Sequence, residues 1–132
     1  MLIETFPNPA LDALADGGHY DRGHVTPRTV RRAVDFIEEH AGDDIGLSDI
    51  AAASGIGARG LQLAFRRYTD ATPLEYLRRV RLQRAHRDLQ EAEPAGETVG
   101  AIAHRWGFPH HGNFSALYLR TYGRSPSMTL RS

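Results

Sequence analysis

Residues 50–73 read IAAASGIGARGLQLAFRRYTDATP, and their pattern returns in residues 102–126 as IAHRWGFPHHGNFSALYLRTYGRSP. The offset between the copies is 52 residues up to the central glycine of each copy and 53 residues after it. At the second offset, Leu61 matches Phe114 and Phe65 matches Tyr118. A chain of 132 residues has no room for a stacked array of repeats. We therefore interpret the repeat as a duplicated functional unit.

Each copy has the pattern of a short helix, a glycine at a sharp turn, and a second helix with a basic end. Two helices that meet at a steep angle over a short turn need a residue at positive φ, so Gly55 and Gly107 are the predicted structural turns. This layout is typical of the helix-turn-helix, whose second helix presents its outward N-terminal residues to a major groove. The apolar residues expected to hold the helices together are Ile50, Leu61 and Phe65 in copy one, and Ile102, Phe114 and Tyr118 in copy two.

Further helices are predicted on either side of the first copy. Thr26-Pro27 and Thr72-Pro73 each combine a favourable N-cap with proline at the first helical position. The first pair predicts a helix up to about Gly42, and the second predicts a long helix that ends near Glu91 or Glu93. An apolar stripe beside an Arg-rich face is expected on the long helix, and it consists of Leu74, Leu77, Val80, Ala85 and Leu89. The last helix is predicted from about His111 to Tyr122, with Ser125-Pro126 closing it.

No segment shows the sustained alternation of a strand, which predicts an all-α fold of two helix-turn-helix subdomains joined by a long linker helix. Residues 1–25 are interrupted by proline and glycine and are assigned to a tail or interdomain linker. The domain then covers residues 26–132. Its parts are a first unit at 26–72, the linker helix at 73–93 and a second unit at 94–132.

The charge is zero overall but uneven along the chain. Residues 59–87 hold eight Arg against two acidic residues, and residues 98–132 hold four Arg and no acidic residue. Acidic residues dominate the two remaining blocks, 1–58 and 88–97. Cationic stretches bind polyanions by releasing phosphate counterions, so the two basic blocks favour nucleic acid as a partner. An ordinary solvated helix surface remains the alternative on charge alone.

Composition also limits the location of the chain. Cysteine is absent, which excludes disulfides and thiolate metal sites and favours a reducing cytoplasm. Apolar runs fall far below the ~18 residues of a membrane span, and the first residues, Met1 to Glu4, lack the basic region of a signal peptide. We expect a cytoplasmic protein with no membrane partner.

A metal site or an enzyme is disfavoured by the residues available. His104, His110 and His111 are the group that suggests a metal, but no carboxylate lies in residues 98–132 and no cysteine completes a ligand set. The sequence also lacks a recognisable nucleophile, base and orienting group, and a phosphate-cradling glycine loop. We therefore expect no catalytic residue, no metal and no cofactor.

The motifs taken together carry a family resemblance. They are Gly55-x5-Leu61-x3-Phe65, Thr72-Pro73-x2-Tyr76-Leu77-x3-Arg81-Leu82-x2-Ala85, Gly107-Phe108-x5-Phe114-Ser115 and Gly123-x-Ser125-Pro126. This combination resembles the DNA-binding domain of the AraC/XylS family of bacterial transcription regulators over about residues 26–131. The resemblance implies at most seven helices, in two helix-turn-helix units joined by a long rigid helix.

Base-reading positions follow from the resemblance. In the first recognition helix they are Arg59, Gln62 and Leu63, and in the second they are His111, Gly112, Asn113 and Ala116. Leu63 and Ala116 depart from the arginine or other polar reader that relatives often have there, and they could contact only a thymine methyl group or nothing. Contacts to phosphate are expected instead from Arg66, Arg67, Arg78 and Arg120.

The expected function is sequence-specific binding of promoter DNA by a transcription regulator, with two recognition helices in successive major grooves. A linker of about 18 residues rises ~27 Å, which suits grooves ~34 Å apart on one face of DNA. RNA polymerase is a further candidate partner, and an effector or dimerisation domain outside this chain is another. The alternative is a degenerate helix-turn-helix protein that acts as a protein interaction module, an option kept open by Leu63, Gly112 and Ala116.

Overall fold

The computed structural model describes residues 26–132, and within that range the backbone forms helices and no strands. The predicted all-α class is confirmed. The tail predicted for residues 1–25 lies outside the described residues. In chain order the described helices are α1 Pro27–His40, α2 Leu47–Ser54, α3 Ala58–Tyr68, α4 Pro73–Glu91, α5 Val99–Arg105, α6 His111–Tyr122 and α7 Pro126–Arg131.

Threonine caps begin the two helices that the sequence signals predicted. The Thr26 hydroxyl accepts a hydrogen bond from the Thr29 amide at 3.2 Å, directly before Pro27. At the start of α4, the Thr72 hydroxyl accepts from the Glu75 amide at 3.1 Å, and the Glu75 carboxylate accepts from the Thr72 amide at 2.9 Å. These reciprocal bonds satisfy amides that a helix start leaves without intrahelical partners.

The chain divides into two compact units, and the boundary between Val80 and Arg81 falls within α4. In the first unit, α1 lies against both helices of the helix-turn-helix pair, α2 and α3. Its core includes Ile37, Ile50, Leu61 and Phe65, all fully buried.

The second unit contains the rest of α4 together with α5, α6 and α7. Ile102 from α5 and Phe114 and Tyr118 from α6 are fully buried there, beside Ala85 and Leu89 of α4. The predicted apolar contacts behind each turn are thus confirmed in both copies. In each unit, the second helix of the helix-turn-helix pair, α3 or α6, buries one face and leaves the opposite face to solvent.

Two details of the prediction were wrong. Leu74 was expected in the apolar stripe of α4 but is 47% exposed. The buried face of the first turns consists of Pro73, Tyr76, Leu77 and Val80, at helical spacing, and Leu74 lies one residue outside it.

The other detail concerns the C-terminal end of the chain. Ser125-Pro126 was expected to close the last helix but begins α7. The Ser125 hydroxyl accepts from the Met128 amide at 3.2 Å, so this pair is a third cap-plus-proline start.

Candidate nucleic-acid interface

Both predicted turns contain glycine in the left-handed region. Gly55 has φ of 81° and Gly107 has φ of 84°. A Cβ atom at Gly55 would meet no residue other than its chain neighbours within 4 Å, so the requirement for glycine is conformational rather than spatial. The Gly55 amide donates to the carbonyls of Ala51 at 3.0 Å and Ala52 at 3.2 Å, which closes α2. This turn sets the direction in which α3 leaves α2.

The outward face of α3 carries Arg59, Gln62, Leu63 and Arg66, which we call the α3 reading face. Their positions are i, i+3, i+4 and i+7, so they lie along one side of the helix. All four are exposed, and Leu63 keeps 51% of its surface accessible. The other side of α3 is the buried one. The predicted base readers of copy one are thus brought together on a single solvent-facing surface.

The predicted phosphate contacts in the first unit are exposed and cationic. Arg66 and Arg67 lie in the last turn of α3, and Arg78 lies on α4. Within residues 26–80, no acidic side chain forms an ion pair with any of the three. The nearby carboxylate of Asp70 instead accepts from Arg79 at 3.0 Å. The three predicted phosphate contacts are therefore exposed and without an ion pair in residues 26–80. Acidic side chains lie close by, because Asp70 and Glu75 line one surface pocket with Gln62 and Arg66.

The second unit presents a different outward face. At the offset of 53, the α3 reading face corresponds to Gly112, Ser115, Ala116 and Leu119 of α6. Gly112, Ala116 and Leu119 are exposed, and Ser115 is half-buried. This side of α6 carries no charged group. Its polarity comes from the beginning and end of the helix instead.

Those polar residues are the remaining predicted contacts of copy two. His111 and Asn113 lie exposed in the first turn of α6, and Arg120 lies exposed in the last turn. Gly112 lies between the first two, and a Cβ atom there would meet no atom beyond the adjoining helix backbone within 4 Å. The backbone of α6 is therefore exposed at this position.

A buried polar network holds α6 in place. The Tyr118 hydroxyl donates to Thr129 Oγ1 of α7 at 2.7 Å, and it accepts from His86 Nδ1 of α4 at 2.6 Å. The His86 ring also stacks on Tyr122, with centroids 3.9 Å apart. Burial lowers the pKa of His86, and the positive charge of Arg124 lowers it further. Because the Tyr118 hydroxyl gives its own proton to Thr129, His86 must carry a proton on Nδ1 to donate to that hydroxyl.

Sequence reasoning missed His86 and Thr129 as partners of α6. One signal was present, because Tyr118 occupies the position of Phe65 in the other copy. A buried tyrosine hydroxyl normally has a hydrogen-bonding partner. That expectation predicts a polar neighbour but does not identify it.

A second network fixes α5 against α4. Arg105 donates to Asp88 and Glu97 at 3.0 Å each, and Trp106 Nε1 donates to Asp88 at 2.7 Å. Hydrogen bonding to Glu97 and then to Asp88 raises the pKa of Arg105. Arg105 belongs to the basic block of residues 98–132, yet its charge is compensated by the acidic block before it. Arg105 therefore does not add to the unpaired positive charge of the second unit.

Other site types have little support in the part of the chain that is described. Within residues 26–132, no group of three or more histidine or acidic side chains is arranged to hold a metal ion. None of the helices α1 to α7 combines the length and apolar character needed to cross a membrane.

Comparison with known proteins identifies relatives over most of the described range. A family model described as a helix-turn-helix domain matches residues 50–132. A probable thc operon regulatory protein of Rhodococcus erythropolis is 41% identical over 113 residues, which cover 86% of this chain and 34% of that protein. XylDLEGF operon transcriptional activator 2 of Pseudomonas putida is 32% identical, with 75% of this chain and 63% of that protein covered. The chain thus spans less than two thirds of either relative.

A solved structure gives a match over nearly the whole of a known chain. The probable AraC family transcriptional regulator from Rhodopseudomonas palustris is 36% identical, with a TM-score of 0.71. The match covers 78% of this chain and 94% of that one. Together with the two helix-turn-helix units and their exposed second helices, these similarities show that the chain belongs to the AraC/XylS family of DNA-binding transcription regulators.

Proposed function

We propose that this chain is a sequence-specific regulator that inserts α3 and α6 into successive major grooves of promoter DNA. The observation that carries the proposal is the α3 reading face, which combines two guanidinium groups, an amide and an alkyl group on one exposed side of a helix. Exposed arginines without acidic partners in the described residues flank this surface. Regulation by binding, rather than catalysis, is the proposed activity, and the bacterial cytoplasm is the proposed location.

Direct readout in the first unit is assigned to two polar residues. Arg59 has the geometry to donate two hydrogen bonds to guanine O6 and N7, and Gln62 to pair with adenine N6 and N7. Both lie in the N-terminal half of α3, which is the part of a recognition helix that reaches base edges. Leu63, one residue further, completes the proposed base-reading set of this helix.

The second unit is assigned a weaker contribution to sequence discrimination. His111 and Asn113 are its proposed base readers, because both are exposed in the first turn of α6. Gly112 and Ala116 offer no hydrogen-bonding side chain, and they allow the helix backbone to approach the bases closely. We infer a strong first half-site and a permissive second half-site.

Phosphate contacts are assigned to Arg66, Arg67, Arg78 and Arg120. Such contacts fix the register of a protein on the duplex and supply most of the salt-dependent affinity without reading sequence. The α4 helix has 19 residues, a length of ~28 Å at 1.5 Å per residue. This length is compatible with units that occupy grooves about one helical turn apart.

Partners beyond DNA follow from the family and from the length of the relatives. We propose that the chain acts with RNA polymerase at promoters. We also propose that an effector or dimerisation domain, in the same polypeptide or a separate one, supplies regulation.

Selection of binding sites from a pool of random duplexes tests the proposal. The full chain should enrich a defined sequence, and fluorescence anisotropy should show at least 10³-fold tighter binding to it than to a scrambled duplex, about the lower limit for specific DNA-binding proteins. Failure to enrich any sequence and to bind any duplex at low salt would contradict the proposal. That outcome would favour the alternative, a helix-turn-helix protein that serves as a protein interaction module.

A further inference from the structure

We propose that Leu63 selects a thymine in the first half-site by packing against the 5-methyl group of that base. The inference rests on the proposed DNA-binding function and adds the identity of one base to it. Leu63 lies on the α3 reading face, one helical turn after Arg59 and beside Gln62. It is the apolar member of an otherwise polar surface.

Leu63 does not serve the protein core. Leu61 and Phe65, its neighbours two residues away on either side, are fully buried, whereas Leu63 is 51% exposed. A leucine fixed on the solvent-facing side of a helix leaves apolar area in contact with water. Burial of that area in a complex would therefore contribute favourably to the free energy of binding.

The charges around Leu63 indicate which partner buries it. Arg59 and Arg66 lie one turn before and about one turn after it, and neither forms an ion pair within the described residues. An apolar protein surface would have to desolvate both guanidinium groups without compensation, which is costly. DNA offers acceptors and phosphates to the arginines, and its major groove offers one apolar group, the C5-methyl of thymine.

The two copies differ at the position of Leu63. The residue equivalent to Leu63 in α6 is Ala116, which ends at Cβ. A leucine extends two bonds further and can cover a methyl group at the floor of the groove. The thymine preference is thus assigned to the half-site read by α3 and not to the one read by α6.

Replacement of thymine by deoxyuridine tests the inference, because it removes only the methyl group. Each thymine of the selected duplex is replaced in turn, and the affinity of the wild-type chain and of Leu63→Ala is measured by fluorescence anisotropy. At one thymine of the first half-site, the wild type should lose about fourfold in affinity, the factor expected from a buried methyl group. Leu63→Ala should lose less than about twofold at the same position, which defines a coupling between the side chain and the methyl group.

Leu74→Ala is the matched control. Leu74 belongs to the same unit, is similarly exposed at 47% and does not lie on a reading helix. This variant should retain the wild-type response to deoxyuridine, and circular dichroism should show that both variants fold. Specific binding with the same deoxyuridine response in the wild type and in Leu63→Ala would overturn the inference and leave the proposed function intact. Absence of specific binding by the wild type would overturn both.

Discussion

Neighbouring charge distinguishes two arginines that look alike in the sequence. Arg59 and Arg105 are both exposed arginines in basic segments of the sequence. Arg105 is neutralised by two carboxylates, whereas Arg59 has no ion pair within residues 26–132. The residue type alone therefore does not show which arginine is available to a partner; the neighbouring side chains must also be known.

Arg59→Ala should weaken binding to the selected duplex by ~1–3 kcal/mol and leave nonspecific binding nearly unchanged, because a bidentate contact to guanine is lost. Anisotropy titrations with selected and scrambled duplexes measure both effects. Arg32→Ala removes the same charge from the exposed side of α1 and serves as the control. Equal losses on the two duplexes would reassign Arg59 to the phosphate contacts.

Arg120→Ala should weaken specific and nonspecific binding alike, because a phosphate contact carries no sequence information. The slope of log affinity against log salt concentration should become shallower by roughly one unit. Arg131→Ala, at the C-terminal end of α7, provides a charge-matched comparison. A slope that does not change in Arg120→Ala would refute the phosphate assignment.

Local sequence signals predicted where most helices begin and end. They did not predict the hydrogen bonds between helices. Thr26-Pro27, Thr72-Pro73 and Gly55 act through bonds within a few residues, so the sequence alone located these boundaries. Ser125-Pro126 carries the same signal, but it was interpreted as an end rather than as the start of α7.

Longer-range contacts could not be predicted from local signals. His86 lies 32 residues before Tyr118, and Asp88 lies 18 residues before Trp106. These pairs meet only because the helices of the second unit pack around a common core. The positions of Arg59, Gln62 and Leu63 came instead from the family resemblance, and their helical spacing places them on one side of α3 wherever that helix lies.

Gly55→Ala should destabilise the first unit by ~1–2 kcal/mol, since a Cβ atom is unfavourable at its φ of 81°. Gly60→Ala, inside α3, should instead stabilise the protein by up to ~1 kcal/mol, because glycine is a poor helix former. A Cβ at position 60 would make only an ordinary contact with Ile56, at 3.7 Å. Chemical denaturation measures both variants, and wild-type stability of Gly55→Ala would show that the turn does not require positive φ.

The His86 network should make stability depend on pH. Burial lowers the pKa of His86 in the folded state, so the unfolded chain takes up a proton more readily. The stability that depends on neutral His86 is therefore fully present above about pH 6.5, the usual pKa of histidine. It is lost as the pH falls toward the pKa of His86 in the folded state. His86→Gln should reduce this loss in denaturation experiments between neutral and mildly acidic pH. An identical pH dependence in the variant would show that His86 does not titrate in this way.

The two units share a helix-turn-helix layout and differ in their outward faces. Copy one carries Arg59, Gln62 and Leu63 on its second helix, and copy two carries Gly112 and Ala116 at the positions of Arg59 and Leu63. Both copies keep the positive-φ glycine and the buried residues behind it. The turn and the buried residues behind it are thus alike in the two copies while the outward faces differ, which is the basis of the proposed inequality of the two half-sites.

In the proposed complex, α3 and α6 bind one face of the same duplex, about one helical turn apart. Insertion of about five base pairs between the half-sites of the selected duplex rotates the second half-site to the opposite face of the DNA. Anisotropy should show that the affinity falls to that of a duplex in which the second half-site is scrambled. Unchanged affinity after the insertion would contradict simultaneous binding by the two helices.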